Sequence, residues 1–226
     1  MKKLIVIPAR GGSKGIPGKN IYPINGKPLL EYTIEVIINS NLDDTDIVVS
    51  TDSQAIKEVS EKYKEIYVIE RPASISGDKA KTEDALVHAL DYMEHNYGKT
   101  YDAILTLQAT SPLRKPETLI KFIEAYEETY PYYDAQLSLN ENRTDFWVQN
   151  PDKSFKRLFP DAPRRRQERT PLYAENSTYY ITDAQILRRT MSVLGTKANG
   201  FEISDVEAID INEPIDIIVA ESLMRK

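Results

Sequence analysis

The sequence predicts an α/β fold with a doubly wound, mostly parallel sheet, and three observations point there. Short apolar runs rich in branched residues recur at residues 4–7, 47–50, 66–69 and 103–107, as in strands covered on both faces. Segments with apolar residues at helical spacing alternate with them. A turn rich in glycine and lysine directly follows the first run, where open sheets of this class bind ligands.

Residues 4–7 form the first strand. Their apolar stretch stops at Pro8 and meets Arg10, so it is too short for a secretion signal. Pro28 opens a helix over 28–39, with Leu29, Leu30, Ile34, Ile37 and Ile38 on its buried side. After a second strand at 47–50, Asp52 or Ser53 caps the helix running toward Tyr63. A third strand lies at 66–69, and Thr82 begins a helix with Leu86, Ala89, Leu90 and Met93 spaced for burial. A fourth strand at 103–107 precedes a helix over 116–130 that carries Leu119, Phe122, Ile123 and Tyr126 at helical spacing. Beyond Asp134 the rhythm changes. Residues 135–181 hold shorter strand-like pieces, Trp147 and a basic run from Arg164 to Arg169, and read as an inserted β-rich arm. Residues 207–211 supply a late strand and 215–224 a terminal helix.

The 226 residues fit one domain of ordinary size, and 41% hydrophobic residues suffice for a sizeable core. No apolar run approaches the roughly 20 residues that cross a bilayer, so no membrane association is expected. Cysteine is absent, which excludes disulfides, thiolate metal sites and cysteine nucleophiles and is compatible with the cytoplasm. The two histidines, His88 and His95, fall in one expected helix and read as ordinary helix residues. A net charge of −6 argues against a nucleic-acid binder. Yet Lys2, Lys3, Arg10, Lys14, Lys19 and Lys27 precede the first acidic residue, Glu31. An acidic chain with a purely cationic start is expected to bind an anion there.

That cationic start contains the turn Pro8-Ala9-Arg10-Gly11-Gly12-Ser13-Lys14-Gly15-Ile16-Pro17-Gly18-Lys19-Asn20. Its four glycines let the backbone approach a ligand closely, and Arg10, Lys14 and Lys19 add charge for phosphate oxygens. A P-loop needs glycine where Ser13 stands and Ser or Thr where Asn20 stands, and the dinucleotide fingerprint is absent. Both P-loop kinases and dehydrogenases are therefore disfavoured. Arg10 to Gly15, with Lys19-Asn20 following, resembles the opening motif of the acylneuraminate cytidylyltransferases, the CMP-sialic acid synthetases. The resemblance continues in order through Ser50-Thr51-Asp52, Arg71-Pro72-Ala73, the block from Leu107 to Arg114, Arg166-Gln167 and Asp210-Ile211-Asn212.

The resemblance implies a Rossmann-like sheet of the nucleotidyltransferase type over residues 1–226, with a small dimerisation arm near 138–170 and a homodimer. It implies that CTP and an acidic nine-carbon keto-sugar give the CMP-sugar and pyrophosphate. Arg10, Gly11, Gly12, Ser13, Lys14 and Lys19 would hold the triphosphate, with Lys19 on the α-phosphate and Asn20 near the nucleoside. Arg71 and Thr82 match positions near the cytosine, although Thr82 reads equally as a helix start. Gln108 would meet a sugar hydroxyl, and Arg166 the sugar carboxylate. Arg114 is either a helix-end or a surface residue. Glu175 to Tyr180 stands where the family commonly has Asn-Gly-Ala-Ile-Tyr, so Asn176 and Tyr180 match and Ser177 replaces the glycine.

Transfer from a nucleoside triphosphate needs a hard cation, Mg²⁺. Asp210 matches a family acid, while Asn212 stands where the family has a second aspartate and would offer an amide oxygen. Arg10, Lys19 and Asp210 are the expected catalytic residues. Legionaminic, pseudaminic and deaminated sialic acids, and less readily Kdo, are rival substrates. A non-catalytic nucleotide-sugar binding paralogue is the reading from another class.

Overall fold

Strand β1 (Lys3–Pro8) runs through the middle of the sheet, and its alternation decides the layers. Leu4 and Val6 face one side and Ile5 and Ile7 the other, all fully buried. The computed structural model describes residues 1–13 and 15–225. After β1 come the short strands β2 (Pro23–Ile24) and β3 (Lys27–Pro28), then α1 (Leu29–Asn39), β4 (Thr45–Thr51), α2 (Gln54–Ser60) and β5 (Ile66–Glu70). They are followed by α3 (Thr82–Tyr97), β6 (Ala103–Thr106), α4 (Pro116–Thr129) and β7 (Ala135–Asn142). The chain ends with β8 (Trp147–Gln149), β9 (Phe155–Arg157), β10 (Leu172–Asp183), α5 (Ala184–Thr190), β11 (Ala198–Glu202) and α6 (Pro214–Met224).

Seven strands hydrogen-bond in the order β11-β7-β10-β6-β1-β4-β5. Among them only β10 runs against its neighbours, β6 and β7. From β1 the chain steps outward through β4 to β5, then returns to β6 on the other flank of β1. The connections therefore diverge between β1 and β6, and a crevice opens at the carboxyl ends of those strands.

One face of the sheet is covered by α1, α2 and α4 through Leu30, Ile34, Ile37, Ile56, Leu119, Phe122 and Tyr126. The other is covered by α3 and α5 through Leu86, Ala89, Leu90, Met93 and Leu187. A third apolar cluster joins α6 to the first loop, with Ile16, Ile24, Leu29, Ile211 and Ile217 in contact. Burying such side chains stabilises by about 1.5–3 kcal/mol each.

The structure corrects the reading of the second half. The flanks of the 135–181 region are not short pieces: β7 and β10 are 8 and 12 residues long and belong to the main sheet. The hairpin of β8 and β9 projects between them as a separate two-stranded sheet. No strand forms at 207–211, because Glu207 turns inward and its carboxylate accepts from Lys115 N at 3.2 Å, Thr118 Oγ1 at 3.2 Å and Ser204 Oγ at 3.3 Å. It thereby caps α4 from outside that helix. The late strand is β11 instead, and α5 is a helix that the apolar spacing did not reveal.

Candidate functional site

The loop after β1, the segment entering α3, and the loop after β6 meet at the crevice. They enclose a cleft of about 370 Å³ lined by Arg10, Gly12, Ser13, Gly15, Lys19, Asn20, Arg71, Lys81, Thr82, Gln108, Thr110 and Asn212, among others. Most of the residues expected around a nucleotide are thus brought together. Lys14 lies outside the described residues.

Lys19 and Arg71 are aimed by neutral oxygens, and Arg10 by a carbonyl and a carboxylate. Lys19 Nζ donates to Ile211 O at 2.8 Å and to Asn212 Oδ1 at 3.2 Å. Burial pushes this ammonium below the ordinary lysine value, while the carboxylates of Asp210 and Asp216 pull it back up. Arg71 is buried and donates from Nε to Ser50 Oγ at 3.1 Å and from Nη2 to Ser50 O at 2.8 Å. Its guanidinium is lowered by desolvation and supported by Asp52. Arg10 donates to Gly77 O at 3.0 Å and pairs with Asp78 at 3.3 Å, which draws the segment before α3 over the cleft. Asn20 Nδ2 donates to Arg10 O at 2.9 Å and so fixes the loop rather than pointing free.

Two glycines of the loop answer to packing. The Gly11 N–H is spent on Asp52 Oδ1 at 2.7 Å, and a Cβ at Gly11 would lie 2.9 Å from Ser53 Cβ. Gly11 therefore differs from the expected phosphate donor, and Asp52 differs from the expected helix cap. Ser53 precedes α2 without a side-chain cap. A Cβ at Gly15 would lie 2.5 Å from Asn212 O, so only glycine lets the first loop run against the 210–213 segment.

That segment follows no strand. Ile211 N donates to Thr110 O at 2.8 Å, and Asp216 Oδ2 accepts from both Asn212 N and Glu213 N at 2.8 Å at the start of α6. Asp210 Oδ2 accepts from Asn212 Nδ2 at 2.7 Å, whereas Asp210 Oδ1 is buried with no partner. No group of three or more His, Asp or Glu suited to a metal ion occurs among the described residues. One carboxylate with an orphaned oxygen still fits a hard cation that keeps waters and takes phosphate oxygens for its other ligands.

The residues expected at the sugar end are spread out. Gln108 lines the cleft. Asn176 and Tyr180 sit on β10 where its register against β7 breaks between Glu175 and Tyr180. Asn176 Oδ1 accepts from Ser138 Oγ and Thr178 N, and the Tyr180 hydroxyl donates to Glu175 and lies 3.2 Å from Ser177 Oγ. Burial and then Glu175 push the Tyr180 phenol well above its ordinary value. Ser177 holds φ at +59°, so the backbone keeps a glycine-like conformation despite the side chain. Arg166 is exposed on a 3-10 turn (Arg166–Glu168) and does not line the cleft of this chain.

Arg114 is the clearest departure from expectation. It is 4% exposed and donates from Nε and Nη2 to Thr178 O at 3.1 and 2.9 Å, and from Nη1 to Thr33 Oγ1 at 2.9 Å and Ser111 O at 3.0 Å. Complete burial lowers it to about 10, which still leaves it charged at neutral pH. Lys81 also stands on the cleft wall, and its signal in the sequence is the cationic pair Lys79 and Lys81 directly before a helix start.

The family model described as cytidylyltransferase matches residues 4–209. The chain is 31% identical over 221 residues to an N-acylneuraminate cytidylyltransferase of Streptococcus agalactiae, covering 96% of this chain and 52% of that protein. It thus spans about half the length of that relative. It is 30% identical to a CMP-N,N'-diacetyllegionaminic acid synthase of Legionella pneumophila, covering 99% of this chain and 97% of that one. A pseudaminic acid cytidylyltransferase of Campylobacter jejuni is 35% identical over 80% of this chain and 78% of its own. Among solved structures, a CMP:2-keto-3-deoxy-manno-octonic acid synthetase complexed with CTP superposes with a TM-score of 0.71 at 18% identity, covering 100% of this chain and 99% of that one. That likeness concerns the fold.

Replacing Arg114 by Met strands the Thr178 and Ser111 carbonyls in the interior. Arg114→Met should lower stability by about 3 kcal/mol or more, read as a fall in the urea midpoint with an unchanged slope.

Proposed function

This chain belongs to the acylneuraminate cytidylyltransferase family, and on that premise we propose that it condenses CTP with a nonulosonic acid to give the CMP-sugar and pyrophosphate. The observation that carries the reading is the convergence of Arg10, Ser13, Lys19, Arg71 and Lys81 on one cleft at the carboxyl ends of β1 and β6. Arg10, Ser13, Lys14 and the Gly12 backbone receive the β- and γ-phosphates. Arg71, Thr82 and Asn20 take the nucleoside end. Lys19 is held by a carbonyl and an amide, so its charge is available to the α-phosphate as negative charge grows there. The anomeric oxygen attacks the α-phosphorus, its proton leaves to solvent, and the bond to the departing pyrophosphate breaks. Gln108, Asn176 and Tyr180 border the sugar end.

Asp210 would hold a divalent cation such as Mg²⁺, which supplies charge compensation to the phosphate oxygens when bound, whereas the Asn212 amide oxygen expected as its second ligand is engaged by Lys19 instead. Asp210 Oδ1 is the atom that supports this assignment. A cysteine-free composition suits work in the cytoplasm.

The arm supports a homodimer. Trp147 and Phe155 are 51% and 63% exposed, and Phe146, Leu158, Phe159 and Tyr173 of the same region are exposed as well. Arg166 stands on this arm, outside its own cleft, so it meets the sugar carboxylate of the other subunit.

Pyrophosphate release with Mg²⁺, CTP and each keto-sugar acid in turn tests the reading. Release with sialic, legionaminic or pseudaminic acid fixes the substrate, and tight CTP binding without release from any of them points to a non-catalytic paralogue. Equal release with UTP or ATP would remove the cytosine assignment. Lys19→Ala should lower kcat by about 10²–10³-fold with little change in KM; a change confined to KM refutes its role. Trp147→Glu should convert the dimer to monomer in sedimentation, with the wild-type melting temperature retained in the monomer's own core.

A further inference from the structure

The 210–213 segment holds an arrangement that the cytidylyltransferase reading does not require. The Asn212 side chain faces two charged groups at once. Its Oδ1 accepts from Lys19 Nζ at 3.2 Å, and its Nδ2 donates to Asp210 Oδ2 at 2.7 Å. Ammonium and carboxylate are therefore linked through a neutral group that both accepts and donates. A carboxylate at this position could only accept, and it would repel Asp210.

We propose, building on that reading, that Asn212 is a positioning residue which sets Lys19 against Asp210 and leaves the protein dependent on the nucleotide to bring its divalent cation. The amide is well anchored. Its own N–H goes to Asp216 Oδ2, the preceding N–H goes to Thr110 O, and Gly15 packs against its carbonyl oxygen. With the backbone fixed on three sides, the side chain has a defined place from which to hold both partners.

Few oxygens of the segment are open to a cation. Asp210 Oδ2 accepts from the amide, and Asp216 Oδ2 accepts from two backbone N–H groups. Asn212 Oδ1 already bears an ammonium, and a second cation on that oxygen is repelled. Among the described residues, Asp210 Oδ1 remains as the one buried carboxylate oxygen without a partner, and the ammonium of Lys19 is linked to the same carboxylate through the Asn212 amide. A single carboxylate with one open oxygen and an ammonium close by holds a hard divalent ion weakly. The triphosphate supplies both the missing oxygens and the missing negative charge. Cation and nucleotide therefore enter as one complex, and the neutral amide keeps Lys19 free of a carboxylate partner until they do.

Electron paramagnetic resonance with Mn²⁺ as the probe tests this on the nucleotide-free protein. Wild type is expected to bind no Mn²⁺ below about millimolar concentration, whereas Asn212→Asp gains about tenfold or more in affinity from its second carboxylate. Stoichiometric micromolar binding by nucleotide-free wild type, or no gain in Asn212→Asp, would overturn the proposal. Asn212→Ala gives a second readout: kcat should fall about tenfold or more while KM for the metal–CTP complex moves less than about threefold. An unchanged kcat would also overturn it. If wild type releases no pyrophosphate with any keto-sugar acid, the enzymatic reading fails, and the Mn²⁺ titrations still decide the role of Asn212.

Discussion

The site depends on a buried guanidinium. Arg114 bonds α1 through Thr33, the loop after β6 through Ser111, and the break in β10 through Thr178. Stripping water from a cation is costly, and the cost is offset only because four hydrogen bonds replace it. The same loop after β6 carries the Thr110 carbonyl that holds Ile211, and so the Asp210 segment. One side chain in the interior therefore sets the spacing between the loop after β6, the Asp210 segment and the break in β10.

Around that fixed point the cleft keeps its cations largely unneutralised. Lys19 rests on a carbonyl and an amide, and Arg71 on a serine hydroxyl and a carbonyl. Such partners orient a charge without cancelling it. An acidic protein with net charge −6 thus keeps a positive field in this cleft. Glycine contributes by removing obstacles: Gly15 lets two loops touch, and Gly11 fits against Ser53. Ser177 contributes the opposite way, holding a left-handed conformation with a side chain present, at a cost of about 1–3 kcal/mol. Its hydroxyl contact with Tyr180 ties that conformation to the break in β10.

Much of the first half was legible because local chemistry decides it. Alternating buried runs, helices opened by Pro28 and Pro116, and a cationic glycine turn can be read one segment at a time. The second half resists such reading. β10 passes from exposed to buried along its 12 residues, so it has no single periodicity. β11 is an edge strand of mixed composition. The 207–211 segment looks like a strand by its alternation, yet Glu207 is drawn inward by the start of α4, a partner roughly ninety residues away in the chain.

By itself the sequence determined the doubly wound class, the location of the cationic glycine-rich loop after the first strand, and the residue types gathered there, because periodicity and charge are local properties. Tertiary structure alone decided that Arg114 is an interior tie and that the Gly11 N–H belongs to Asp52. It likewise decided that Asn212 stands between an ammonium and a carboxylate. Those outcomes depend on which distant atoms complete each buried hydrogen bond, and no neighbour along the chain carries that information.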